Sequence, residues 1–120
     1  MNIEDIREYC LTKQQVSEEL PFGPDTLVFK VCGKVFLLVG LDQVESLSFN
    51  VKCDPDVAIE LRLNYSETVI PGYHMNKKHW NTVKINQDVK DTQLKQWIKD
   101  SYNLVILTLS KSKRPELLND

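Results

Sequence analysis

The sequence predicts a two-layer α+β domain in which helices cover one face of a largely antiparallel sheet. Three observations indicate this fold class. Residues 47–53 alternate apolar and polar side chains, which is typical of a strand with one buried and one solvated face. Residues 94–109 repeat apolar side chains at three- and four-residue steps, as in a long amphipathic helix. Proline and glycine at 20–25 and 71–72 divide the chain into short elements.

The chain begins with a predicted helix. Asn2 can cap it, and residues 3–13 place Ile6 and Cys10 on one face together with other apolar residues. A short turn is expected near residues 16–20. The proline-rich segment that follows ends any helix and leads into an extended segment.

Three strands are predicted next, as a meander. Residues 26–32 alternate in the manner of a half-buried strand, and Gly33 with Lys34 suits a two-residue hairpin turn. Residues 35–40 are continuously apolar, as expected of a strand in the middle of a sheet. Residues 47–53 form the third strand.

The second half is predicted to add a helix, two strands and the long helix. Asp54 can cap the helix, with Pro55 at its first position, where the missing amide costs nothing. Extended segments are expected at 68–75 and 79–86, and the long helix begins near Asp88 or Asp91. The order is therefore α-β-β-β-α-β-β-α in a single domain over residues 1–120, with residues 110–120 a frayed tail.

Composition excludes several classes of protein. The 120 residues are 42% hydrophobic and 27% charged, as in ordinary globular domains. The longest apolar run, residues 35–41, is too short to span a membrane. The acidic N-terminus lacks the apolar core of a secretory signal, so we expect a cytoplasmic protein that does not interact with membranes.

Cysteine and histidine residues indicate neither a disulfide nor a metal site. The chain has three cysteines, at positions 10, 32 and 53, without a CxxC spacing, so reduced thiols are expected. His74 and His79 do not form the tight ligand pair that zinc sites use. An acid–base site around Tyr73, His74 and His79 is an enzymatic alternative, but no catalytic motif accompanies it. No glycine-rich phosphate loop is present, and no cofactor is expected.

Charge is distributed unevenly along the chain. Residues 1–70 carry six basic and twelve acidic side chains, a net of −6, whereas residues 71–120 carry nine and five, a net of +4. The sum of −2 argues against coating of nucleic acid by bulk charge. Unevenness itself has two interpretations: differently solvated surfaces, or an acidic partner at the basic part.

The outward side of the predicted sheet carries lysine and aromatic residues and no acid. Its positions are Lys30, Ser48, Asn50, Lys52, Trp80, Thr82 and Lys84. Lys34 lies at a hairpin tip, and the turn before the last strand holds Lys77, Lys78 and His79, with Tyr73 and His74 nearby. Such a face can bind phosphates and stack bases. It can also dock a protein, or its lysines can simply prevent edge pairing.

Several segments together resemble the MmcQ/YjbR family. These are residues 20–31 followed by 33–36, residues 71–75 followed by 78–80, and Leu94 followed by 101–105. The resemblance implies an α-β(3)-α-β(2)-α fold like that of secretion chaperones. It also implies a small bacterial protein that binds DNA through a double-wing arrangement. The matching residues are Lys30, Lys34, Tyr73, His74, Lys78, His79 and Trp80.

The leading hypothesis is a non-enzymatic DNA-binding module. Lysines would contact phosphates, and Trp80 or Tyr73 would stack on bases. The alternative is a chaperone-like module that docks a protein on the same sheet face. A monomer is the favoured oligomeric state.

Overall fold

The structure, a computed structural model, describes residues 1–42, 47–72, 75–85 and 88–112. The helices are α1 (Ile3–Leu11), α2 (Pro55–Asn64) and α3 (Asp91–Ile106). The strands are β1 (Val16–Glu19), β2 (Thr26–Val31), β3 (Lys34–Gly40), β4 (Ser48–Lys52), β5 (Val69–Pro71) and β6 (Trp80–Lys84). Most of the expected tail, residues 113–120, lies outside the described residues.

The six strands form one antiparallel sheet in the order β1-β2-β3-β4-β6-β5. The predicted α+β class and the order of its elements are confirmed. The turn expected near residues 16–20 is wrong, because Val16–Glu19 is an edge strand paired with β2. β1 has only four residues and one large apolar side chain, Val16, so its sequence shows no alternation of apolar and polar residues. The strand forms because it pairs with β2.

Local sequence signals start the first two helices as expected. The Asn2 side chain accepts a hydrogen bond from the Asp5 amide, and the Asp5 carboxylate accepts one from the Asn2 amide. Asp54 accepts hydrogen bonds from the amides of Asp56 and Val57 and caps α2. These side chains satisfy backbone donors that a helix start leaves unpaired.

The hydrophobic core lies between the three helices and one face of the sheet. α1 contributes Ile6 and Cys10, and α3 contributes most of the remaining helical surface. The buried residues of α3 are Leu94, Trp97, Ile98, Ser101, Tyr102, Val105 and Ile106. The Tyr102 ring packs edge-on against Phe36, with centroids 5.4 Å apart. Its hydroxyl donates to the carbonyl of Gln14 at 2.7 Å, so α3 also fixes the segment before β1.

A register shift between β2 and β3 bears on how β3 pairs with β4. Phe29 pairs with Leu37, but Lys30 pairs with Val35, so Phe36 is an extra residue in β3. Pairing between β3 and β4 stops at Leu37 and Val51.

In the described part of the chain, no helix has the length and hydropathy of a membrane span.

Candidate functional site

The open face of the sheet is defined by the pairing of β4 with β6. Ser48 lies opposite Lys84, Asn50 opposite Thr82, and Lys52 opposite Trp80. Because Phe49, Val51 and Val83 belong to the core, strand alternation places these six residues on the side away from the helices. We call the six residues the β4–β6 strip.

Trp80 is half-buried and is not among the core residues. It occupies the open face, beside Lys52, rather than a position under a helix. The Gly72 amide donates to its carbonyl at 2.9 Å, and a Cβ at Gly72 would lie 2.9 Å from the Trp80 Cβ. A glycine is therefore needed at position 72 for the backbone to approach Trp80 this closely.

The expectation that the open face carries no acid is wrong at the β1 edge. Glu19 lies opposite Val28, on the same face as Lys30, which lies opposite Ser17. The Lys30 ammonium is 3.5 Å from the Glu19 carboxylate. Glu19 was not expected on this face, because residues 16–20 were predicted as a turn rather than as a strand. Lys30 is consequently a paired cation rather than a free one.

Two other candidate lysines have partners within the chain. Lys34 donates to the carbonyl and the hydroxyl of Thr108, where it can balance the negative end of α3. Lys77 donates to the carbonyl of Gly72 at 3.1 Å. The Lys77 carbonyl in turn accepts a hydrogen bond from the Arg62 side chain. Both lysines thus have structural contacts that sequence reasoning missed.

Lys52, Lys78 and Lys84 form no ion pair within the described residues. Lys78 is exposed in the turn before β6, whereas Lys52 and Lys84 are half-buried on the strip. In the strip, the Thr82 hydroxyl donates to the Asn50 side chain at 2.5 Å. The strip therefore combines the Trp80 ring and two lysines with a hydrogen-bonded pair of polar side chains, Thr82 and Asn50.

Of the proposed acid–base site, only His79 lies within the described residues, and it is half-buried. Tyr73 and His74 lie outside them. Among the described residues, no group of three or more histidine, cysteine or acidic side chains could hold a metal ion. The three cysteines are free. Burial raises the pKa of Cys10 to about 12 and that of Cys53 to about 11.

Comparison with known proteins assigns the chain to a family. The family model described as YjbR matches residues 11–104. The chain belongs to the YjbR family. One relative, the uncharacterized protein YbdF of Escherichia coli O157:H7, is 40% identical to this chain, over 76% of this chain and 73% of YbdF. The uncharacterized protein YjbR of E. coli K12 is 29% identical over 98% of each chain.

Solved structures agree with this YjbR-family assignment. The Deinococcus radiodurans protein DR2400, with a DUF419 domain, superposes with a TM-score of 0.89 at 35% identity. The alignment covers 97% of this chain and 87% of that one. A protein from Pseudomonas syringae gives a TM-score of 0.73 at 25% identity, over 87% of this chain and 98% of that one.

Proposed function

We propose that this YjbR-family chain is a non-enzymatic DNA-binding module that uses the β4–β6 strip together with Lys78. The observation that carries the proposal is the pairing of Lys52 on β4 with Trp80 on β6, with Lys84 four residues beyond Trp80 on β6. Ammonium groups suit phosphate oxygens, and an aromatic ring beside them offers a stacking surface for an unpaired base. No acidic residue belongs to the strip.

Only some of the candidate lysines are available to contact DNA. Glu19 compensates the charge of Lys30, and Lys34 and Lys77 are bound to Thr108 and Gly72. Three lysines, at positions 52, 78 and 84, are left to meet phosphates. With so few contacts, binding is expected to be weak and to depend on salt with a slope of roughly −2 to −3 in log K against log salt.

The experiment is a fluorescence anisotropy titration with a labelled 20-nucleotide single strand and the matching duplex, at several salt concentrations. Lys52→Gln combined with Lys84→Gln should weaken binding and reduce the salt slope by roughly 2. Trp80→Ala should weaken single-strand binding by roughly tenfold and affect the duplex less, because base stacking is lost.

Lys30→Gln is the matched control, since it removes the same charge from the same face at a position already paired with Glu19. It should change affinity little. No binding below about 100 µM at low salt would overturn the proposal, because even non-specific binding reaches this range. Equal losses for Lys30→Gln and the strip variants would contradict the assignment of the binding surface to the β4–β6 strip.

The cytoplasm is the proposed compartment. The support is chemical: Cys10, Cys32 and Cys53 are free thiols, which persist in reducing surroundings. Fractionation of cells followed by immunodetection tests this part of the proposal separately from DNA binding.

A further inference from the structure

The Arg62 side chain, in the last turn of α2, reaches the turn that leads into β6. Its Nε donates to the Asn81 side chain at 2.7 Å. One terminal nitrogen donates to the carbonyl of Lys77 and, at 3.3 Å, to the carbonyl of Trp80. A single guanidinium, with its donors in a rigid plane, therefore connects α2 to both ends of the segment from Lys77 to Trp80.

Asn81 holds the Arg62 guanidinium in this orientation. Asn81 is buried, and it pairs with the core residue Val51, so its side chain lies on the helix side of β6. Its amide nitrogen donates to the carbonyl of Ala58, one turn before Arg62 on α2. Within the described residues, Arg62 forms no ion pair. Arg62 is therefore fixed by neutral oxygens of β6 and its turn rather than by an acidic partner.

The turn that Arg62 contacts carries two residues of the proposed DNA-binding surface. Lys78 lies within the turn, and Trp80 is the first residue of β6. The Asn76 carbonyl accepts hydrogen bonds from the amides of His79 and Trp80, and the Asn76 side chain accepts one from the Lys78 amide. These local bonds shape the turn, and the bonds from Arg62 tie it to the helix layer.

We infer that Arg62 is a positioning residue for the DNA-binding surface, which holds Lys78 and Trp80 in place beside Lys52 without itself contacting nucleic acid. Its role in binding rests on the proposed function, whereas the positioning can be measured without DNA. Arg62 belongs to α2, on the opposite side of the sheet from the β4–β6 strip. Because preorganised groups lose less conformational entropy on binding, loss of the Arg62 bonds should lower affinity although no contact with DNA is removed.

The first test observes Trp80 and needs no nucleic acid. Labelling with 5-fluorotryptophan gives two fluorine resonances, because the chain has two tryptophans, and Trp80→Phe assigns them. Arg62→Lys keeps the positive charge, but a single ammonium cannot reproduce the planar fork that serves three acceptors. We expect the Trp80 resonance of Arg62→Lys to shift by more than its linewidth or to broaden, and the Trp97 resonance to change less.

The second test is the anisotropy titration with the labelled single strand. Arg62→Lys should weaken binding by roughly three- to tenfold, up to the loss expected for Trp80→Ala. Arg62→Gln should weaken it at least as much. If Arg62 contacted a phosphate directly, lysine would still serve, and only Arg62→Gln would lose affinity. That pattern would overturn the inference.

Arg7→Lys is the matched control, because it makes the same substitution at an arginine that pairs with Glu4 and Glu18 between α1 and β1. It should leave the Trp80 resonance and the affinity unchanged. An unchanged Trp80 resonance in Arg62→Lys overturns the inference whether or not DNA binds. Wild-type protein that binds no DNA contradicts the proposed function, and the Trp80 resonance then decides the positioning by itself, so the two failures are distinguishable.

Discussion

The Ser101 hydroxyl on α3 accepts a hydrogen bond from the backbone amide of Lys52 at 2.8 Å. It also donates to the carbonyl of Phe36 at 2.6 Å. Phe36 and Lys52 would be the next pair of β3 and β4 if the extra residue in β3 did not end their ladder. A single buried hydroxyl thus replaces the missing contact between two strands and fixes the end of β4, where Lys52 reaches the open face.

Ser101→Ala should lower the free energy of unfolding by about 1–3 kcal/mol, because the Lys52 amide and the Phe36 carbonyl lose their buried partner. Urea denaturation of the two proteins measures the difference. The exposed Ser66 is a suitable control, and Ser66→Ala should stay within about 0.5 kcal/mol of wild type. Equal stability of Ser101→Ala and wild type would show that the bridge contributes nothing.

Gly72→Ala should destabilise the fold by about 1–3 kcal/mol and change the emission of Trp80. The added methyl would lie 2.9 Å from both the Cβ and the carbonyl oxygen of Trp80. Gly33→Ala is the comparison, since Gly33 has a φ of +81° but open space around its Cα. It should lower stability through backbone strain and leave Trp80 emission unchanged.

The ion pair between α1 and β1 should make stability depend on pH. Arg7 donates to both oxygens of Glu18, at 2.8 and 2.6 Å, and holds the pKa of that carboxyl below its usual value. The pKa of Glu18 is therefore lower in the folded protein than in the unfolded chain, where it is about 4.3. The ionised carboxylate stabilises the fold at pH values above this unfolded pKa, and its contribution disappears as the pH falls through the folded pKa.

Glu18→Gln should therefore be less stable than wild type at neutral pH, and the two should converge in acid. Urea denaturation between pH 7 and pH 3 measures the difference. Glu8→Gln, on an exposed position of α1, should show no such convergence. A constant offset for Glu18→Gln across the whole range would show that its charge is not involved.

Thiol chemistry should separate the cysteines. Cys10 is fully buried and its pKa is about 12, so it should react with a thiol reagent only when the protein unfolds. Cys53 is half-buried with a pKa of about 11, and its rate should rise about tenfold per pH unit between pH 7 and pH 10. In denaturant, both should react at similar rates. Fast reaction of native Cys10 would contradict its placement in the core.

The alternation in β2 and β4 and the apolar spacing of α3 were sufficient to predict the layers of the fold, because one face of each element is buried. The position of Trp80 on the open face followed from the same alternation. The short strand β1 could not be predicted, since its pairing depends on β2 rather than on its own residues. Glu19 beside Lys30, and Ser101 between Phe36 and Lys52, join positions distant in sequence and leave no local signal.

The two edges of the sheet restrict how another polypeptide can bind it. β5 has only three residues and ends at Pro71, which has no amide to donate, and β1 carries Ser17, Glu18 and Glu19. Short strands, proline and charge all oppose the addition of a further strand. The sheet is therefore protected against edge-to-edge aggregation, and a protein partner is expected to contact its side chains rather than extend its hydrogen-bond ladder.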